Sequence, residues 1–494
     1  MQLARPAVSK LQDIFTSADS LKMQNIMKFI LATLLCLLNV SGVLAQSPTP
    51  VRQVCTECIR KNLEFLASDE MRGRKSGSED EHRAAVYIGE RLKAYGIHPV
   101  KGKIAFVQKV LLAQNVINAS PTLSFTSQSA NSSTVLTFGK DFLTVDLVNP
   151  KFSGPLQKVN ADLDGDLPKA KPGAVILITA KDRQKIRGAL SSYLSSSAVA
   201  LLIPARNEIS EREGKKFPEL PAMFAGQTKS VLGGRFDGLS LSSAAVGLLS
   251  QLPEGTMIQF KAPFTSKPAA TWNAVGMIKG SDPSFEHAAV LLSAHLDHIG
   301  VGKPVNGDRI YNGADDNASG CAAVLELARV IGSGPKPKRT VIFALFGSEE
   351  VGGTGANYFR DHPPVPLSDL AANLEFEMIG RADSAVKPDT LWLTGWERSN
   401  LGPTLAAHGA HLVGDPHPEQ DFFSRSDNFV LAQKGVVAQT ISSYGLHKDY
   451  HQPSDDIAHI DFQHMNDAIG SLLEPIEWLV NSDFKPEWKE GGRP

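Results

Sequence analysis

Two short runs in the second half of the chain are apolar at every position and then stop on polar side chains. Val290-Leu291-Leu292 leads to His295, and the run from Ile342 to Phe346 leads to Glu349 and Glu350. A strand without polar alternation is covered on both faces, the habit of a parallel sheet packed between helix layers. Helix-like stretches separate such runs, among them DNASGCAAVLELARVIG and the final AIGSLLEPIEWLVN. From Trp272 onward the alternation predicts an α/β fold, with a mostly parallel central sheet and helices on both faces. Ligands in such sheets collect beyond the carboxyl ends of the strands. His295, Glu349 and Glu350 stand at such ends.

The chain has 494 residues, too long for one ordinary core. Its middle changes character. Residues 117–155 are rich in Ser, Thr and Asn, GAVILITA reads as a buried strand, and KIRGALSSYLSSSAVALLIPA pairs a helix with a strand. PELPAMFAG, with two prolines, suits a surface connection. Residues 126–265 therefore read as a small inserted, mostly β domain with a βαβ element. They hold no cluster of His, Asp, Glu or Cys at catalytic spacing. The expected division is a leader over 1–45, a catalytic domain in two parts over 46–125 and 266–484, the insertion between them, and a tail over 485–494.

Lys28, the apolar run from Phe29 to Leu38 and the Val43-Leu44-Ala45 boundary fit a signal peptide cleaved after Ala45. The run is too short for a membrane span. The mature protein is therefore expected to be periplasmic or secreted, with no stable membrane insertion after processing. Of four cysteines, Cys36 leaves with the leader, Cys55 and Cys58 are either a local disulfide or two thiols on the first helix, and Cys321 reads as buried and inert. A net charge of only −2 gives no electrostatic ground for a nucleic-acid partner. Nothing in the chain speaks to oligomeric state.

Five residues of metal-ligand type lie in this second half: His295, Asp315, Glu350, Glu377 and His451. Two imidazoles and three carboxylates are enough for two zinc ions, and a spare carboxylate, Glu349, adjoins one of them. Each alone is weak evidence, because a lone strand His is usually structural and a lone surface Glu merely solvates. Their placement directly after apolar strands gives them weight, since buried carboxylates are costly unless paired or metal-bound. Asp297, two residues beyond His295, would point the same way and hold the ring N–H of that imidazole. His298 reads as a further loop imidazole rather than a ligand. Glu375 and Asp383 are the fallbacks for Glu377.

The motifs AHLDH, NGADDNASG, GSEEVGG, EMIGR and DYHQPSDD, in this order, resemble those of the M28 family of zinc aminopeptidases and related carboxypeptidases. The resemblance covers about residues 51–115 and 270–480. It implies a zinc-exopeptidase-like fold and a centre of two Zn2+ ions. It also implies that Asp315 bridges the ions and that the Asp315–Asp316 peptide bond is cis. His295, Glu377, Glu350 and His451 would complete the ligand set. Where the family usually carries Asp, this chain has Glu377. The middle segment resembles, more loosely, the protease-associated domain inserted in many members.

In the mechanism so implied, Glu349 is the general base, taking a proton from water and handing it to the leaving amine. Tyr450, Tyr444 and His447 are candidates for oxyanion or substrate contact, against the blander reading of packed rings. Peptides cut at the N-terminus are the leading substrate class. Glutaminyl cyclisation, carboxypeptidase or dipeptidase action, and a non-catalytic peptide-binding module on the same fold are the alternatives.

Overall fold

The computed structural model describes residues 53–100, 104–127, 132–163, 166–194, 198–207, 209, 217, 219–223 and 236–494. The proposed leader, residues 1–45, lies outside them. Among the described residues no helix is long and apolar enough to cross a membrane.

The larger sheet is built on six strands: β1 (Val107–Ile117), β2 (Phe264–Ile278), β3 (Ala289–His295), β4 (Val341–Phe346), β5 (Leu370–Phe376) and β6 (Val437–Ser442). Their spatial order is β6-β5-β3-β4-β2-β1. The four strands β6, β5, β3 and β4 run parallel, and β2 and β1 continue the sheet antiparallel. Leu391–Leu393 and Leu412–Gly414 extend the other edge beyond β6. The sheet is thus parallel at its centre, with an antiparallel junction on either side of that core.

Every residue of β3 and β4 is buried, and successive side chains enter different cores, as the two-residue repeat of a strand requires. Val290, Leu292 and Ala294 join one cluster. Ala289 and Leu291 join another. The first is filled by helices α1 (Thr56–Leu66), α2 (Glu79–Ala94), α3 (Gly320–Ser333) and α5 (Phe462–Asn481), which contribute Leu63, Ile88, Leu325 and Leu472. The second is covered by α4 (Thr354–Asp361) and the short helix Asn428–Ala432, through Phe359 and Leu431. Helices therefore flank both faces. Ser78 caps α2 by accepting the Glu81 N–H. A disulfide joins Cys55, the N-cap of α1, to Cys58 in its first turn.

A second, eight-stranded sheet occupies the chain between Thr122 and Lys261, with its own apolar clusters around Phe142, Leu202 and Phe260 and around Ile176 and Tyr193. Lys151–Asn160, Val175–Thr179 and Ala200–Pro204 run parallel, with the helix Arg183–Leu194 between the last two. That is the expected βαβ element in a separate β-rich region. One segment differs from the sequence reading. Glu219–Met223, taken as a surface connection, is an edge strand of the larger sheet, antiparallel to β1. An edge tolerates proline, because one side of its backbone has no ladder partner to lose.

Candidate metal centre

The carboxyl ends of β3, β4 and β5 bring their following loops together, with the loop after β6. Two groups of ligand-type side chains form there: His298, Asp316, Glu350 and His451 in one, and His295, Asp316 and Glu377 in the other. Asp316 belongs to both. Its Oδ1 lies 3.2 Å from His295 Nε2, and its Oδ2 lies 3.2 Å from His451 Nε2 and 3.8 Å from His298 Nδ1. Glu350 closes the larger group, with Oε1 2.7 Å from His298 Nδ1 and Oε2 3.2 Å from His451 Nε2.

The shared acid corrects the sequence expectation by one residue. Asp315, expected between two ions, turns away from both groups. Its Oδ1 accepts the Gly380 N–H at 2.7 Å, and its Oδ2 pairs with His447 Nε2 at 2.9 Å. Adjacent side chains on extended backbone point to opposite sides, and Asp316 is close to extended at φ −103°, ψ 94°. The backbone is pinned in this phase by Asp455, whose two oxygens accept the N–H groups of Asp315 and Asp316 at 3.0 Å each. The cis peptide bond likewise lies one residue on, between Asp316 and Asn317.

Asp297 also differs in detail. It faces His295 Nδ1 at 3.8 Å, too far for the expected hydrogen bond. Its oxygens accept the Glu349 N–H at 2.9 Å and the Ser76 hydroxyl at 2.5 Å instead. Asp297 therefore positions the Glu349-Glu350 turn rather than the imidazole ring. Glu377 follows directly on β5 and lies in the His295 group. The two fallbacks serve elsewhere. Glu375 accepts from Ser426, Asn428 and Thr440. Asp383 accepts from Trp392 and pairs with His417.

Tyr450 stacks on His451 with ring centroids 3.9 Å apart, and Tyr444 lies against Tyr450 and His447. His298, read as a loop imidazole, is instead inside the larger group. The sequence argument also passed over Asp455 and Arg74. The buried Arg74 guanidinium donates to the carbonyls of Leu66, Leu296, Asn312 and Gly313, tying the loop after β3 to the turn before Asp315. A buried arginine spending its donors on four carbonyls has no local sequence signal. Asp455 had one, the doubled acid of PSDD.

The electrostatics are those of charges held without water. Burial raises Asp316, but His295, His451 and His298 outweigh it and hold the carboxyl well below its usual range. Burial also raises Glu350, yet His451 and the His298 hydrogen bond bring it down to about 2. His451 goes the other way: burial lowers it, and Glu350 and Asp316 lift it to about 10. Burial, reinforced by Glu375, raises Glu377 to about 7. Burial raises Glu349 well above the usual carboxylate range, opposed by His295 and aided by Glu350.

The donor set fits a pair of borderline-soft divalent cations. The buried atoms His295 Nε2 and His451 Nε2 have no hydrogen-bond partner, although carboxylate oxygens lie 3.2 Å from each of them. Lone pairs that converge without bonding one another are the signature of ligands around an ion.

Residues 273–473 match the model of peptidase family M28. The chain is 26% identical over 247 residues to Aminopeptidase YwaD of Bacillus subtilis (strain 168), covering 48% of this chain and 50% of that protein. It is 32% identical over 119 residues to Leupeptin-inactivating enzyme 1 of Streptomyces exfoliatus, 24% of each. The chain thus spans half or less of the length of these curated relatives. The aminopeptidase from Aneurinibacillus sp. strain AM-1 shares the fold, with a TM-score of 0.52 at 18% identity over 87% of this chain and 95% of that one.

Proposed function

We propose that this protein is a dizinc metallopeptidase that removes N-terminal residues from peptides. The observation that carries the reading is Asp316, one carboxylate offering an oxygen to each of two ligand groups, with Glu349 beside them. The match to the M28 family model and the likeness to proteins named as aminopeptidases support it.

His295, Asp316 and Glu377 would hold one zinc, and Asp316, Glu350 and His451 the other. Zinc bound there supplies an acidified water and a polarised scissile carbonyl. Glu349 is the base. Its burial makes the carboxylate a stronger proton acceptor than one in water. It takes the proton of the attacking water and returns it to the leaving nitrogen. Asp297 fixes Glu349 through the backbone N–H, so the base is positioned by its main chain. Tyr450 touches the cluster through its stack on His451, and burial keeps its hydroxyl protonated and able to donate to a developing oxyanion. His447 is a weaker candidate for that contact, since its Nε2 is engaged by Asp315.

The leader over 1–45 and the Cys55–Cys58 disulfide both suit an exported protein in an oxidising compartment. The eight-stranded region is read as an insertion that shapes access rather than chemistry. A panel of aminoacyl-4-nitroanilides, each with its N-acetylated control, tests the function. Hydrolysis restricted to free amines supports aminopeptidase action. Release of pyroglutamate from N-terminal glutamine, without amide hydrolysis, would contradict it and assign cyclisation.

A further inference from the structure

The two ligand groups are not equivalent. The His295 group contains three side chains and the Glu350 group contains four. The difference is His298. We propose that His298 is a fourth protein ligand, so that the ion beside Glu350 and His451 is fully enclosed and tightly held while its neighbour keeps the open position. The proposal rests on the dizinc reading above and deepens it.

The geometry is that of a closed coordination shell. Nitrogen and oxygen ligands about 2.0–2.1 Å from a tetrahedral zinc lie roughly 3.3 Å from one another. Around this group the separations are 2.7 Å from His298 Nδ1 to Glu350 Oε1 and 3.8 Å from His298 Nδ1 to Asp316 Oδ2. His451 Nε2 lies 3.2 Å from each of the same two carboxylates. They scatter about the expected edge, and no side-chain rotation is needed to bring His298 into the group. Zinc sites with four protein ligands are typically structural, and those that leave a position for water or substrate are catalytic.

The imidazole is also held in place by features that no surface histidine requires. Its backbone N–H donates to the Arg74 carbonyl at 3.1 Å, and His298 forms a bridge with Lys75. The ring lies over Gly313, where a β carbon would approach its Cγ and Cδ2 to 2.5 Å. Gly313 sits at φ +61°, so the turn before Asp315 depends on glycine twice, for its backbone and for this close approach. The competing role for His298 is to donate from Nδ1 to Glu350 and only position it. A glutamine separates the two roles, because its amide N–H can donate to a carboxylate but is a poor zinc ligand.

The test uses the full chain loaded with zinc, then with cobalt(II), as wild type, His298→Ala and His298→Gln. Zinc withdrawal is followed by competition with a chromophoric chelator, and the cobalt forms by visible absorption. The wild type should hold two ions, one markedly more tightly. Both variants should lose more than about 10²-fold in affinity for the tighter ion only, beyond what removing a residue that merely orients a ligand costs, with a changed cobalt band and unchanged circular dichroism. If His298→Gln keeps the wild-type affinity and spectrum, His298 only positions Glu350 and the proposal is wrong. If both variants match a wild type that holds two ions, it is equally wrong while the dizinc reading stands. A wild type that never holds two ions overturns both.

Discussion

The two large sheets of this protein bury charge in opposite ways. In the eight-stranded region, Asp237 is the buried acidic side chain among the described residues. It is fully engaged, accepting the N–H groups of Val148 and Asn149 at 2.8 and 2.9 Å and the Asn149 side-chain amide at 2.6 Å. At the strand ends of the larger sheet, His295, Asp297, His298, Asp315, Asp316 and Glu349 are buried together. Several of their polar atoms have no hydrogen-bond partner. Buried polar groups normally find partners, and unsatisfied ones are costly. Asp237 is a finished structural device. The other cluster groups side chains of metal-ligand type and leaves some of their atoms without hydrogen-bond partners, and that contrast separates a candidate site from a structural device.

The largest effect expected from the contrast is at Asp316. Asp316→Ala should take the metal content from two ions to none and abolish turnover, whereas Asp315→Asn should keep both ions. Elemental analysis of the two purified variants decides this. Loss of metal from the Asp315 variant alone would reverse the assignment of the shared acid.

Next is the base. Glu349→Gln should lower turnover by roughly 10²–10⁴-fold and retain both ions. A fully active Glu349→Gln enzyme would assign the proton transfers to another group.

The pH dependence follows from groups whose folded, metal-free pKa is raised. His451 near about 10 and Glu377 near about 7 both bind protons more tightly than usual. An incoming ion must displace those protons, so zinc affinity should rise with pH through this window and fall as pH drops below it. Calorimetric titration in buffers of different ionisation enthalpy should show proton release on binding. Affinity independent of pH would mean that neither His451 nor Glu377 carries a proton for the ion to displace.

The smallest effect belongs to the other sheet. Asp237→Ala removes the carboxylate that accepts the Val148 and Asn149 N–H groups and should cost about 1–3 kcal/mol of stability. Zinc content should not change. A thermal melt paired with metal analysis checks both halves, and lost metal would show that the two regions are not independent.

Much of this was legible in the sequence where one residue type at one position decides the outcome. The all-apolar β3 and β4 announce strands covered on both faces, and the polar residues that end them announce the site. Asp315 and Asp316 were not separable in that way. Two adjacent acids read alike, and the choice is made by backbone phase and by Asp455, 139 residues away from Asp316. His298 was undervalued because it follows the strand rather than ending it, although a second imidazole in HLDH was a visible excess of ligands. Glu219–Met223 was misjudged because proline argues against a strand only where the ladder needs its N–H.

The central claim is that Asp316 is the carboxylate shared by two zinc ions. Crystals of the zinc-loaded protein, measured at wavelengths on either side of the zinc absorption edge, test it directly. The account predicts two anomalous peaks about 3.5–4 Å apart, with one Asp316 oxygen toward each. A single peak, or a pair flanking Asp315, would contradict it.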